Sequence, residues 1–193
     1  MTPKERLLKM IAGEIEACTG CELANECGHV VPGEGNPNAE IVFCGEAPGS
    51  TEAEQGRPFV GRAGKLLDNM IKSMGYARED VYILNTVKCR PPGNRKPDPE
   101  EMKACADYLD MQLQVIDPFI IVALGATAAD RLLPDTIGQN LSSRRGKIHK
   151  IKLDQSEYNV VCSYHPAFLL RNPPAKQDAC ADLKLVKDTL NCI

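Results

Sequence analysis

Ala39-Glu40-Ile41-Val42-Phe43-Cys44, followed at once by Gly45-Glu46-Ala47-Pro48-Gly49, is the stretch whose reading decides the fold. The first part is short, largely apolar and carries two β-branched residues, as a buried strand does. The glycines and proline after it stop that strand in a tight loop. Val81 to Val87, Phe119 to Leu124 and Asn159 to Tyr164 read as three further strands, the last ending at His165-Pro166.

Helical patterns separate these strands. Thr2, Pro3 and Glu5 form a capping box with proline at the first helical position, and Leu7, Leu8, Ile11 and Ile15 continue it at helical spacing. Beyond Gly61, the residues Ala63, Leu66, Leu67, Met70, Ile71 and Met74 mark one helical face, with Gly75 as C-cap. Asp98-Pro99-Glu100-Glu101 opens a helix whose stripe is Met102, Cys105, Leu109, Leu113 and Ile116. Gly125 to Leu133 reads as a short helix, Gln139 to Lys147 as a polar loop and Ala175 to Leu190 as a closing helix. Alternating strands and helices predict an α/β fold: a three-layer sandwich with a central, mostly parallel four-stranded sheet flanked by helices. Functional loops are expected at the strands' carboxyl ends. No internal repeat is visible, and Pro91 to Pro99 is too short for a linker, so residues 1–193 are read as a single domain.

The chain is 43% apolar and 25% charged, ordinary for a soluble globular protein. It has no run of about eighteen apolar residues, and the charged start from Met1 to Met10 adjoins no apolar segment. The expectation is a cytoplasmic monomer without a membrane partner. A formal charge of -3 argues against indiscriminate binding to DNA. Basic residues nevertheless collect in Arg57 to Lys65, Lys88 to Lys96 and Arg144 to Lys150, which allows either a basic face or ordinary solvated charge.

Nine cysteines in a chain without a signal segment point to metal ligands, a cluster or buried thiols instead of a disulfide framework. Cys18 and Cys21 are spaced x2, and Cys89 and Cys105 stand on either side of a proline-rich loop. Four thiolates in two pairs suit a 4Fe-4S cluster or a tetrahedral zinc ion, and spacing leaves both open. Cys105 also lies on an apolar stripe, where it can act as a small hydrophobe. Cys44, Cys162 and Cys180 read as core thiols, Cys192 as a terminal thiol, and Cys27 is near enough to join or replace one of the first pair.

Gly45 to Gly49, together with Gly56-Arg57-Pro58-Phe59-Val60-Gly61-Arg62-Ala63-Gly64-Lys65-Leu66-Leu67, resembles the first signature of the family 4 uracil-DNA glycosylases. Asn85-Thr86-Val87-Lys88-Cys89-Arg90-Pro91-Pro92 resembles the second, and His165-Pro166-Ala167-Phe168-Leu169-Leu170-Arg171 the third. The resemblance runs in order from about Cys18 to Arg171. It implies a monofunctional enzyme that hydrolyses the N-glycosidic bond of uracil in single- or double-stranded DNA, with a 4Fe-4S cluster on Cys18, Cys21, Cys89 and Cys105. Family members tend to carry arginine where this chain has Cys27.

The resemblance also implies roles. Gly45, Phe59, Asn85 and Glu52 would bind the extruded base: Phe59 by stacking, Asn85 by pairing with uracil N3–H and O4, and Glu52 near the C5 edge. His165 would stabilise the leaving anion at O2, and Glu46 would position water or oppose the sugar cation. Glycosylases of the best-known family place an aspartate where this chain has Ala47. Arg57, Arg62, Lys65, Arg144, Arg145 and Arg171 would meet phosphates, while Leu169 and Leu170 would wedge into the vacated stack. Two competing readings are a binding-only accessory module of the same fold and a zinc or iron-sulfur protein unrelated to DNA.

Overall fold

A computed structural model describes residues 1–26 and 28–192; Cys27, expected beside the first cysteine pair, lies outside the described residues. The chain opens with helix α1 (Pro3–Glu16), capped as its sequence requires: the Glu5 N–H donates to Thr2 Oγ1 and the Thr2 N–H to Glu5 Oε2. Strands β1 (Glu34–Gly35) and β2 (Ile41–Gly45) follow, then helices α2 (Ser50–Gln55) and α3 (Arg62–Ser73) and strand β3 (Tyr82–Asn85). Helices α4 (Pro99–Ala104) and α5 (Ala106–Ile116) lead into strand β4 (Ile120–Leu124), helix α6 (Ala126–Leu132) and helix α7 (Leu141–Arg144). The last elements are strands β5 (Ile148–Leu153) and β6 (Ser156–Ser163) and helices α8 (Pro166–Arg171) and α9 (Lys176–Leu190).

The sheet is six-stranded and mixed, in the order β1-β3-β2-β4-β6-β5, and so corrects the expected four-stranded sheet. The four strands read from the sequence form its parallel middle, with Phe43 opposite Ile83 on one side and Val122 on the other. The additions are antiparallel edges. Two residues of β1 leave no apolar pattern to read. In β5, exposed and half-buried residues alternate along Ile-His-Lys-Ile-Lys-Leu, and the lysines of such an edge strand blunt it against further pairing. The expected loop from Gln139 to Lys147 contains α7. The expected helix over Met102 to Ile116 breaks at Cys105, which separates α4 from α5.

Side-chain alternation along the strands divides the core between two faces. Val42, Cys44, Ile121, Ala123 and Val160 meet α1, α5 and α6 through Leu8, Leu109, Leu113 and Ala128. Ile41, Phe43, Ile83, Val122 and Val161 meet α3, α8 and α9 through Leu67, Ile71, Leu169 and Leu183. Each fully buried valine, leucine, isoleucine or phenylalanine among them contributes about 1.5–3 kcal/mol of hydrophobic stabilisation. Cys44 and Cys162 are core thiols as expected, but Cys180 is exposed, because the buried stripe of α9 runs through Ala179, Leu183 and Val186 instead. Among the described residues, no helix is long and apolar enough to cross a membrane.

Candidate active site

Strand β2 has β3 on one side and β4 on the other, so the loops leaving their carboxyl ends diverge and open a crevice. A cleft of about 770 Å³ occupies it. Its walls bring together Glu46 from the loop after β2, Asn85 at the end of β3, Gly125 after β4 and His165 after β6, with Phe59 and Glu52 on the near side. The four residues of greatest expected chemical importance, Glu46, Phe59, Asn85 and His165, thus share one hollow.

Asn85 is buried, and its Oδ1 has no hydrogen-bond partner among the described residues. An unpaired buried amide oxygen costs about 1–3 kcal/mol, so its place in the cleft wall calls for a donor from a ligand. Gly45 makes room for it. A Cβ there would overlap Asn85 Oδ1 and lie 2.5 Å from Phe59 Cζ. Gly45→Ala is therefore expected to displace both groups and lower kcat/KM for the cleft's reaction by about 100-fold while thermal melting shows a folded protein. Unaltered kinetics would mean that the two side chains do not meet the substrate.

Phe59 is only 5% exposed and holds a φ of 49°, a left-handed backbone that a bulky residue adopts at a cost of order 1–3 kcal/mol. Gly64 accommodates this turn, since a Cβ there would overlap the Phe59 carbonyl. Arg78 clamps it by donating to the carbonyls of Pro58 (2.5 Å) and Phe59 (3.1 Å) while pairing with Glu34 (3.0 Å) and Asp68 (2.7 Å). Burial works to raise the Glu34 pKa, but hydrogen bonds from Arg57 and Arg78 outweigh it and hold that carboxyl below its ordinary value. Glu52 Oε1 accepts the N–H groups of Val60 (2.9 Å) and Gly61 (2.8 Å), so this carboxylate anchors the Phe59 loop from the cleft side.

His165 stands 5.6 Å from Phe59, ring centre to ring centre. Its Nδ1 accepts the Ala167 N–H at 3.1 Å, which leaves the proton of the neutral ring on Nε2. Burial, reinforced by the Arg171 charge and opposed by Glu52, lowers its pKa to about 4, so the ring is uncharged at neutral pH. Glu46 is held at both ends: its carboxylate accepts a short hydrogen bond from Thr127 Oγ1, and its backbone carbonyl accepts from Thr86 Oγ1 at 2.5 Å.

Around the mouth the expected DNA contacts divide. Arg62, Lys65 and Arg171 are exposed, and Arg171 lines the cleft. Arg57 is exposed but holds Glu34 through two bonds of 2.8 and 2.9 Å. Arg145 reaches Asp182 at 2.8 Å and lies 4.4 Å over the Tyr164 ring, leaving little of it to solvent. Two expectations are corrected. Arg144 is buried and paired with Asp130 at 2.7 Å, and Leu169 is 1% exposed in the core, so neither presents a side chain to DNA; Leu170 is exposed.

Cys18, Cys21, Cys89 and Cys105 line a second hollow, between the end of α1 and the junction of α4 with α5. Its other walls are Ile15, Leu23, Ala24, Ala104, Tyr108 and Lys88, with no carboxylate and no imidazole. Four sulfurs in an apolar setting are the donor set that iron-sulfur clusters and structural zinc take. As the side chains stand, no group of three or more Cys, His, Asp or Glu among the described residues is arranged to hold a metal ion.

The family model described as the uracil DNA glycosylase superfamily matches residues 32–185. A type-4 uracil-DNA glycosylase of Archaeoglobus fulgidus is 46% identical over 178 residues, which cover 91% of this chain and 89% of that protein. The chain belongs to the type-4 uracil-DNA glycosylases. Proteins of the same description from Sulfurisphaera tokodaii and Thermotoga maritima are 45% and 43% identical, over 94% and 89% of this chain and 84% and 88% of theirs. The superfamily match in this type-4 glycosylase chain includes all the cleft loops together with Cys89 and Cys105, and Cys18 and Cys21 precede it.

Thr127, Thr86, Arg78 and Lys88 carry positions in this site that a reading of the sequence does not assign. Thr127 lies in the first turn of a helix that otherwise reads as core. Each of the others is recognisable only from the partner it meets across the fold.

Proposed function

We propose that this type-4 uracil-DNA glycosylase hydrolyses the bond between uracil N1 and the deoxyribose in DNA, leaving an abasic site that begins base excision repair. The observation that carries the reading is the buried, unpartnered Oδ1 of Asn85 in the same hollow as Phe59 and a neutral His165.

The base must leave the stack before it can be read, at a cost of a few kcal/mol in a duplex. Phe59 then offers its ring face. Asn85 Oδ1 accepts from uracil N3–H and its amide donates to O4, a pattern that cytosine cannot match. As the bond breaks, negative charge collects on the base, and His165 Nε2–H donates to it at O2. The Glu46 carboxylate, aimed by Thr127, holds the attacking water and faces the positive charge that develops on the sugar. Arg62, Lys65 and Arg171, all exposed, would meet phosphates, and the exposed Leu170 would wedge into the vacated stack. The relatives are named as glycosylases, so a module that only binds DNA is not the favoured reading.

Cys18, Cys21, Cys89 and Cys105 would hold a 4Fe-4S cluster; four thiols lining one hollow, together with membership of the type-4 family, support this assignment. Its contribution when bound is to tie the segment after α1 to the loop before α4, and hydrolysis needs no electron from it.

Thr127→Val should lower kcat about tenfold, equivalent to ~1.4 kcal/mol, with KM little changed, and Thr127→Ser should restore it. Equal losses in both variants would assign the threonine to packing. The function itself is tested by incubating the protein with single- and double-stranded oligonucleotides that contain one uracil. Free uracil and an alkali-labile abasic site are expected; intact substrate in both cases, from folded protein, would reject the proposal.

A further inference from the structure

Lys88 is the buried charge that the hydrolysis leaves unused. It follows β3, is 1% exposed, and its ammonium donates to the backbone carbonyl of Asn85 at 2.8 Å. No carboxylate pairs with it among the described residues. The charged side chain that acts on it is another cation, Arg131, whose guanidinium is already paired with Asp110 at 2.5 Å. An ammonium taken out of water without a counter-ion costs several kcal/mol, so a native fold that keeps one there has an anion for it. The neighbours that can become anionic are thiols: Lys88 lines the hollow of Cys18, Cys21, Cys89 and Cys105, and its backbone N–H is directed at the Cys105 sulfur.

We propose that Lys88 is the internal counter-ion of the centre held by the four cysteines and the strut that couples that centre to Asn85. Four thiolates around iron and sulfide leave a net negative charge, and charge near a cluster is one of the terms that set its potential and its persistence. The same ammonium fixes the carbonyl of the residue that reads the base. Loss of the cluster therefore loosens the pocket without any electron passing to it. This inference rests on the assignment of the cysteines given under the proposed function.

The test begins with iron and acid-labile sulfide in the purified wild-type protein; if neither is present, the assignment of the cysteines fails first and the inference with it. With the cluster present, Lys88→Met and Lys88→Arg are compared by visible absorbance in air with an iron chelator, by the reduction potential of the cluster, and by kcat/KM on uracil. The methionine variant should lose its cluster at least tenfold faster, show a lower potential because a positive charge that favours the added electron is gone, and excise uracil more slowly. The arginine variant, which keeps the charge, should stay near wild type in lifetime and potential. Wild-type lifetime and potential in Lys88→Met would overturn the inference. Should Lys88→Met fail to fold, amine labelling of the wild type decides: protection of Lys88 that ends when the cluster is removed supports the counter-ion role, and equal labelling before and after refutes it.

Discussion

Asn85→Ala is expected to lower kcat/KM for uracil excision by about 100- to 1000-fold, the largest single effect in the cleft. A pocket built around one amide loses both bonds to the base at once, and each bond lost inside a desolvated site counts for more than at a surface. Asn85→Asp is the finer probe. A carboxylate of the same shape has no donor for uracil O4, and its protonated form presents to cytosine the donor and acceptor that asparagine had reversed. The ratio of kcat/KM for uracil over cytosine should therefore fall by at least about tenfold, ~1.4 kcal/mol of discrimination, as measured on paired oligonucleotides. An undiminished ratio in Asn85→Asp would show that another group reads the pyrimidine edge.

His165→Ala should come close to it, with kcat reduced about 100-fold and KM changed little, because the bond from Nε2–H strengthens only as the base becomes an anion. The ring's lowered pKa has consequences for rate and for stability. Its tautomer is already set at neutral pH, so the part of the rate that depends on His165 should stay level from about pH 5 to pH 8 and change only as the pH nears about 4. An unfolded histidine takes up its proton near 6.5, whereas the folded one resists until about 4. Between those values the unfolded chain holds the extra proton, so acid favours unfolding. His165 leaves stability undiminished above about pH 6.5 and erodes it progressively down to about 4, by an amount of order 1–3 kcal/mol. Chemical denaturation of wild type against His165→Phe between pH 4 and 7 should show the phenylalanine variant with the shallower slope. Parallel slopes would mean that the imidazole titrates in the fold much as it does in water.

How far the sequence revealed this molecule depended on whether a feature was local. The four parallel strands are built around apolar runs, and their ends were legible within one or two residues except at the start of β6, which begins at Ser156, three residues before the expected Asn159. The edge strand β5 was not, since its alternating lysines interrupt any apolar run, and the two residues of β1 form a strand only because β3 lies beside them. The break at Cys105 was hidden by an apolar periodicity that continues through it. In the cleft, Glu46, Phe59, Asn85 and His165 were legible because each stands at a strand end or tight loop inside a recognisable motif. Burial direction was not: Arg144 turns inward to Asp130 and Leu169 packs into the core, although both looked suited to DNA. Arg78, Thr127 and Lys88 gain their roles from Phe59, Glu46 and Asn85, partners 19, 81 and 3 residues away, and a list of letters does not reveal those pairings.

We infer that strand-end loops form a single receptacle for an extruded pyrimidine, with its edge on Asn85 and its face on Phe59. Titrating isotope-labelled free uracil into the protein, and following its N3–H resonance by NMR, tests this most directly. A downfield, exchange-protected N3–H is expected in the bound base, with binding abolished in Asn85→Ala and weakened in Phe59→Ala. Uracil that binds both variants as it binds the wild type would place the base elsewhere and contradict the account.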